Sequence, residues 1–401
     1  MSRSLAPIPR LPVLGWQTWQ RGQAAAVPSL LDLPACRFTT SGRASITLAL
    51  EAMQLPHGSP VLLPTYHCPT MVAPAFGLGA KPRFYPITAQ GTPDLAWLDQ
   101  QDLRGVRVML AAHFFGIPQP MAAIRQWCDA RGIALIEDCA HALLGMADGR
   151  PIGSWGDVAI GSLTKFLPVP EGGCIALNRG HELPLLQPCS AMKEAKATLD
   201  IIEEGGRHGR LGWLGSALTS LLAVARRLRG SKESGQQSLH VQAPNGEGAA
   251  PMFAETTSGV PEGLSALGSA VPRAAHTLSA PVSAEARIAA GLAIDMPLAH
   301  RQLQSVCCWM ARHLPRPRIA RLRREHYQAL AKALSGHAGL RPLLPILPDG
   351  AVPYVFPLWV DHPDPGYQAM RTAQMPVFRW DRLWPNTPAL PGDHGNRWSH
   401  H

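Results

Sequence analysis

The sequence predicts an α/β fold: a mostly parallel sheet with helices on both faces, followed by a small α+β region. Three observations point there. Between residues 37 and 190, short apolar runs alternate with helical segments at βαβ spacing. Several of these runs are almost continuously apolar, as strands buried on both faces must be. With 46% hydrophobic residues in 401, the chain can also bury a substantial core across two domains.

Taken in order, "SPVLLPTY" reads as a strand, "HCPTMVAPAFGLGA" as a helix ending at glycine, and "KPRFYPI" as a second strand. "VRVMLAAHFF" and "IALIEDCA" are two further strands separated by the helical "PMAAIRQWCDARG", and "DVAIGSL" and "GGCIALN" follow. In "TSGRAS" small residues precede a helix beginning near Arg43. Residues 191–230 read as helical. Their apolar stretch at 211–225 is expected to be a buried or domain-bridging helix, with contact to a membrane surface as the alternative. From 231 to 284 Ser, Gly, Pro, Gln and Ala dominate without a period, which predicts a disordered or weakly ordered insertion. A helical pattern returns at 296–335, strongest in "RIARLRREHYQALAKAL", and the tail from Arg341 reads as short strands and turns. The expected organisation is therefore an N-terminal segment (1–36), a large domain (37–190), a helical segment (191–230), the insertion (231–284), and a helix with a small C-terminal domain (285–401).

The net charge of +9 favours anionic partners. The arginines are dispersed, however, and no aromatic residues interleave with them, which argues against a nucleic-acid groove. Eight cysteines form no CxxC pair, the plain sign of reduced thiols in an intracellular protein. No metal site is expected: His113, His141 and Asp138 lack any helical HxxxH or paired-cysteine spacing. The start, "MSRSLAPIPRLPVLGW", lacks the apolar run of a signal peptide, and no stretch is long enough to span a bilayer. A cytoplasmic location is expected.

The chemistry begins with one lysine. The chain has six lysines against thirty-one arginines, so a lysine kept beside a strand end, as in "GSLTKFLPVPEGG", stands out. Arginine cannot give up its proton, whereas a desolvated lysine can, and can then condense with an aldehyde. Asp138 ends an apolar run in "ALIEDCAHA", with His141 three residues on, and Lys165 follows another such run. Parallel sheets place active sites at these carboxyl ends. A lysine, a buried carboxylate able to keep a pyridine nitrogen protonated, and a helix N-terminus for a phosphate together describe a pyridoxal phosphate site.

Four motifs, in this order and spacing, resemble the DegT/DnrJ/StrS family of pyridoxal phosphate-dependent sugar aminotransferases. "AHFFGIPQPM" is similar to the family's His-x-Tyr-Gly-x-Pro-x-x-Met turn and "IEDCAHA" to its Glu-Asp-x-Ala-Gln/His signature. "IGSWGDVA" and "KFLPVPEGG" are similar to its Gly-Ser-x-Gly-Asp segment and its lysine with Glu-Gly-Gly six residues later. The resemblance covers about residues 40–178 and resumes weakly at 296–335. It implies the aspartate aminotransferase type of fold, fold type I, and a homodimer whose sites draw on both subunits. It implies that Lys165 carries the cofactor and shuttles a proton, and that Asp138 pairs with the pyridine nitrogen. His141 would lie near the cofactor ring, and Ser162 with Ser41, Gly42 and Arg43 would hold the phosphate. Cys68 stands where the family places an aromatic ring, with Tyr66 and His67 as alternatives for that face. Glu171 supports the turn after the lysine or is a structural carboxylate. The implied reaction moves an amino group from a donor, usually glutamate, to a keto-sugar, in this family commonly nucleotide-linked and used in polysaccharide or cell-surface glycan synthesis.

Departures from the pattern keep other readings open. Ser162 lies three residues before the lysine rather than five, and the stretch after Ser190 is unlike the family. A transaminase of a non-nucleotide ketone is one alternative, and a non-catalytic binding or regulatory protein on the same fold is another. A dehydratase of the family would carry histidine in place of Lys165.

Overall fold

The computed structural model describes residues 8–20, 26–213, 215 and 296–400. The 231–284 insertion and most of the apolar stretch at 211–225 lie outside the described residues.

A seven-stranded sheet organises the first half of the chain. Its strands are β1 (Cys36–Thr39), β2 (Pro60–Pro64), β3 (Lys81–Tyr85), β4 (Val108–Ala112), β5 (Ala134–Cys139), β8 (Val158–Ser162) and β9 (Gly173–Leu177). They lie in the order β1-β9-β8-β5-β4-β2-β3. Pairing is parallel from β8 through β5, β4 and β2 to β3, and antiparallel where β9 meets β8 and β1. Every residue of β4 and β8 is buried, which is why their sequences read as continuous apolar runs. Between the strands run α1 (Gly42–Ala52), α2 (Pro69–Gly77), α3 (Leu95–Asp99) and α4 (Met121–Asp129). A two-stranded ribbon, β6 (Met146–Ala147) with β7 (Arg150–Pro151), precedes β8.

The sequence reading locates β2, β3, β4, β5, β8 and β9 and the helices α1, α2 and α4. It does not foresee β1 or the five-residue α3, which are too short and too mixed in burial to show a period.

After the sheet come α5 (Ala191–Arg207), α6 (Met296–Ala299), α7 (Ser305–His313) and α8 (Arg316–Leu334). A small antiparallel pair, β10 (Leu340–Pro342) with β11 (Leu358–Val360), is followed by α9 (Gly366–Thr372) and α10 (His394–His400). The last of these returns to the large sheet. Asp393 accepts hydrogen bonds from the Thr65 hydroxyl at 2.8 Å and the Ile87 amide at 3.0 Å, just past the ends of β2 and β3. Trp398 then packs edge-on against Tyr66 at 5.3 Å. Among the described residues, no helix is long and apolar enough to cross a membrane.

Candidate active site

Four parallel strands deliver side chains to one edge of the sheet. Cys68 follows β2, His113 to Gly116 follow β4, Asp138 and His141 lie at and past the end of β5, and Ser162 and Lys165 at and past the end of β8. Asp138 is in register with Ile160 of β8, so its strand end neighbours the turn that bears the lysine. Both are buried, Asp138 to 4% exposure and Lys165 to 9%. The Asp138 carboxylate accepts the Ala140 amide at 2.8 Å, which fixes the turn towards His141.

The two adjacent acids of β5 have different tasks because side chains alternate across a strand. Glu137 is fully buried and accepts amides from Gly153 (2.8 Å), Trp155 (2.8 Å) and Gly156 (3.0 Å). It also accepts from His113 Nε2 at 3.0 Å. His113 Nδ1 takes the Gln119 amide at 3.0 Å, so Nε2 must carry the hydrogen. Burial alone would raise the Glu137 carboxyl, but the His113 and amide hydrogen bonds hold it below its ordinary value. Glu137 thus ties the "GSWG" loop to the sheet, leaving Asp138 for the other face. His113, Glu137 and Cys139 also place potential metal-ligating atoms within 4.8 Å of one another. Their hydrogen bonds already engage both Glu137 oxygens and both His113 nitrogens.

The predicted phosphate residues converge. Ser41 caps α1 by accepting the Ala44 amide at 3.1 Å. A Cβ built on Gly42 would lie 3.5 Å from that of Ser162, the last residue of β8. Gly173, paired with Ser162, has no room for a side chain: a Cβ there would lie 2.4 Å from the Ser41 carbonyl. Small residues are therefore what let the N-terminus of α1, with Arg43 in its first turn, abut the ends of β8 and β9. Ser162 Oγ also lies 3.4 Å from Thr164 Oγ1.

On the other side of the lysine stands a set of aromatic rings. The Lys165 ammonium is 5.4 Å from the ring centre of Tyr354, which stacks on His141 at 5.1 Å. Trp380 packs on His141 at 4.9 Å and on Phe115 at 5.3 Å. The turn after β4 makes this approach feasible. At Gly116 (φ +88°) a Cβ would lie 2.5 Å from the Tyr354 nitrogen and 2.7 Å from the His141 carbonyl. Phe115 is itself left-handed (φ 61°), a strained conformation for a bulky residue, and its carbonyl accepts the Tyr354 amide at 2.8 Å.

Cys68 is separated from β8 by β5 and β4, and it caps α2 by accepting the Thr70 amide at 3.3 Å. Of its neighbours, His67 is structural: Nδ1 donates to the Pro64 carbonyl at 2.8 Å and Nε2 accepts the Trp384 amide at 2.9 Å. Tyr66 joins the aromatic set through Phe114 and Phe115. Glu171 accepts a hydrogen bond from Gln304, linking the turn after the lysine to the start of α7.

Tyr354 and Arg323 escape the sequence reading. Arg323 leaves one trace: Ala320 and Tyr327 are the buried positions of α8, and residue 323 falls between them on the same helical face.

Residues 27–187 match the DegT/DnrJ/EryC1/StrS aminotransferase family. Among curated relatives, GDP-perosamine synthase of Vibrio cholerae is 28% identical over 142 residues, 35% of this chain and 39% of that protein. The L-glutamine:2-deoxy-scyllo-inosose aminotransferase of Streptomyces kanamyceticus is 28% identical over 169 residues, 40% of this chain and 39% of that protein. The matched part thus spans about two fifths of the length of these relatives. Over 91% of the chain the fold resembles the aminotransferase TlmJ from Streptoalloteichus hindustanus, with a TM-score of 0.52, 17% identity and 78% of that chain covered. The likeness establishes the α/β architecture of fold type I.

Proposed function

We propose that the protein is a pyridoxal phosphate-dependent aminotransferase acting on a keto-sugar. The observation that carries this reading is the pairing of buried Lys165 with buried Asp138 on neighbouring strand ends, beside the capped N-terminus of α1. The donor set suits the cofactor: an amine, a carboxylate, and hydroxyls with helix N-terminal amides in the narrow cradle at Gly42, Ser162 and Gly173. When bound, pyridoxal phosphate supplies an aldehyde and an electron-withdrawing ring for amino transfer. Lys165 holds the cofactor and carries a proton to and from the reacting carbon, and Asp138 keeps a proton on the ring nitrogen. Ser41, Gly42, Arg43 and Ser162 bind the phosphate dianion. His141 orients the ring from its place against Tyr354, and Cys68 stands at the outer edge of the site. The Tyr66, Phe115, Trp380 and Trp398 rings exclude water from it.

The relatives support a keto-sugar acceptor, nucleotide-linked as in GDP-perosamine synthase, and glutamate as the amino donor is part of the same reading. Synthesis of a surface polysaccharide, a cytoplasmic location and a homodimer belong to the same reading. The scyllo-inosose aminotransferase favours a second acceptor class, a free cyclic polyol ketone.

Added pyridoxal phosphate should give a yellow protein, and borohydride followed by peptide mapping should place the label on Lys165. Lys165→Ala should abolish both while leaving the fold. Full turnover by that variant overturns the assignment. A panel of nucleotide-linked and free ketones then separates the two acceptor classes, and absence of turnover with every ketone would favour a binding protein.

A further inference from the structure

We infer that Arg323 is a positioning residue for Lys165: its guanidinium fork locks the main chain of the lysine to the segment that carries Tyr354. One arm, Nη2, donates to the Lys165 carbonyl at 2.6 Å. The other, Nη1, donates to the carbonyls of Tyr354 at 2.8 Å and Pro353 at 3.1 Å. The guanidinium carbon lies 4.5 Å from the ring centre of Phe166, the residue after the lysine, and 6.0 Å from that of Tyr354. A helix of the second half of the chain thus grips two distant stretches at one point.

The choice of residue is informative. Among the described residues, the hydrogen bonds of Arg323 all go to main-chain carbonyls, and no carboxylate faces it. Burying a guanidinium without a counter-ion is costly, and an apolar side chain of similar volume would pack there more cheaply. Burial pushes its pKa down to about 10, so the charge persists at neutral pH. The fork does what lysine cannot: its planar donors diverge at fixed angles and reach both carbonyls at once. With both carbonyls held, Tyr354 is set against the Lys165 ammonium, and the ammonium has a defined direction into the site.

The inference rests on the reading of Lys165 as the cofactor lysine, and the test separates the two. Full-length protein is treated with one equivalent of pyridoxal phosphate and borohydride, and the label on Lys165 is measured against that on the other five lysines. In Arg323→Lys, which keeps the charge but not the fork, the Lys165 share should fall about tenfold or more, the loss of one charge-assisted hydrogen bond. Arg323→Met should fall at least as far; if it does not fold, Arg323→Lys decides. Tyr327→Phe, on the same helix, removes a hydroxyl bond to the Leu344 carbonyl (2.6 Å) and should leave the Lys165 share unchanged. An unchanged share in folded Arg323→Lys overturns the inference, as does an equal loss in Tyr327→Phe. A wild-type protein unlabelled at Lys165 refutes the parent reading instead.

Discussion

At the scale of single residues, His67 shows how burial converts a switchable group into a fixed one. Desolvation pushes its pKa down from 6.5 to about 4, against the opposing pull of its hydrogen bond to the Pro64 carbonyl. The unfolded chain therefore takes up a proton here before the folded one does. His67 contributes its full stability above pH 6.5, and the contribution is lost as pH falls towards 4. Between pH 7 and pH 5 the loss should be about 2 kcal/mol. Denaturant titrations at the two pH values check this, and His67→Gln should flatten the difference. Asp138 and Glu137 make the complementary point. The sequence shows two adjacent acids, and strand alternation sends them to opposite faces, one to the site and one to the amides of the "GSWG" loop.

At the scale of elements, the alternation of strands and helices was legible because two-faced burial writes itself into composition. The strand ends were legible too, as small residues and turns with a lysine, an acid or a histidine just beyond an apolar run. What was not legible depends on pairing across the fold. Nothing local marks Tyr354 as a neighbour of Lys165, because the contact exists only once Gly116 has let the 352–354 segment close on the turn after β4. The junction of α1 with β8 and β9 offers a direct test of the phosphate cradle. Gly173→Ala drives a methyl group into the Ser41 carbonyl, so the helix N-terminus must shift. Affinity for pyridoxal phosphate should fall about tenfold or more, the loss of one charge-assisted hydrogen bond. Binding of pyridoxal without its phosphate should change little. Equilibrium dialysis of both compounds measures the contrast, and equal losses would mean a general structural effect.

At the scale of the whole molecule, the C-terminal residues are part of the large sheet's edge. Asp393 takes three donors on one oxygen, from Thr65, Ile87 and Gly395, and the Asn396 amide on the other. Asp393→Ala leaves these donors unmatched in a buried place and should cost about 3 kcal/mol, read as a fall of several degrees in Tm. Trp398, released from Tyr66 and Phe115, should report the change as a red shift in tryptophan emission.

The same anchor has a kinetic meaning. The Thr65–Asp393 bond joins residues 328 positions apart, and the Arg323–Lys165 bond spans 158. Apart from β1 with β9, pairings within the sheet close over far shorter loops, and loop-closure entropy favours those first. A refolding chain should therefore recover its sheet signal before it can take up cofactor, passing through a state with strands and helices in place but the lysine still unheld.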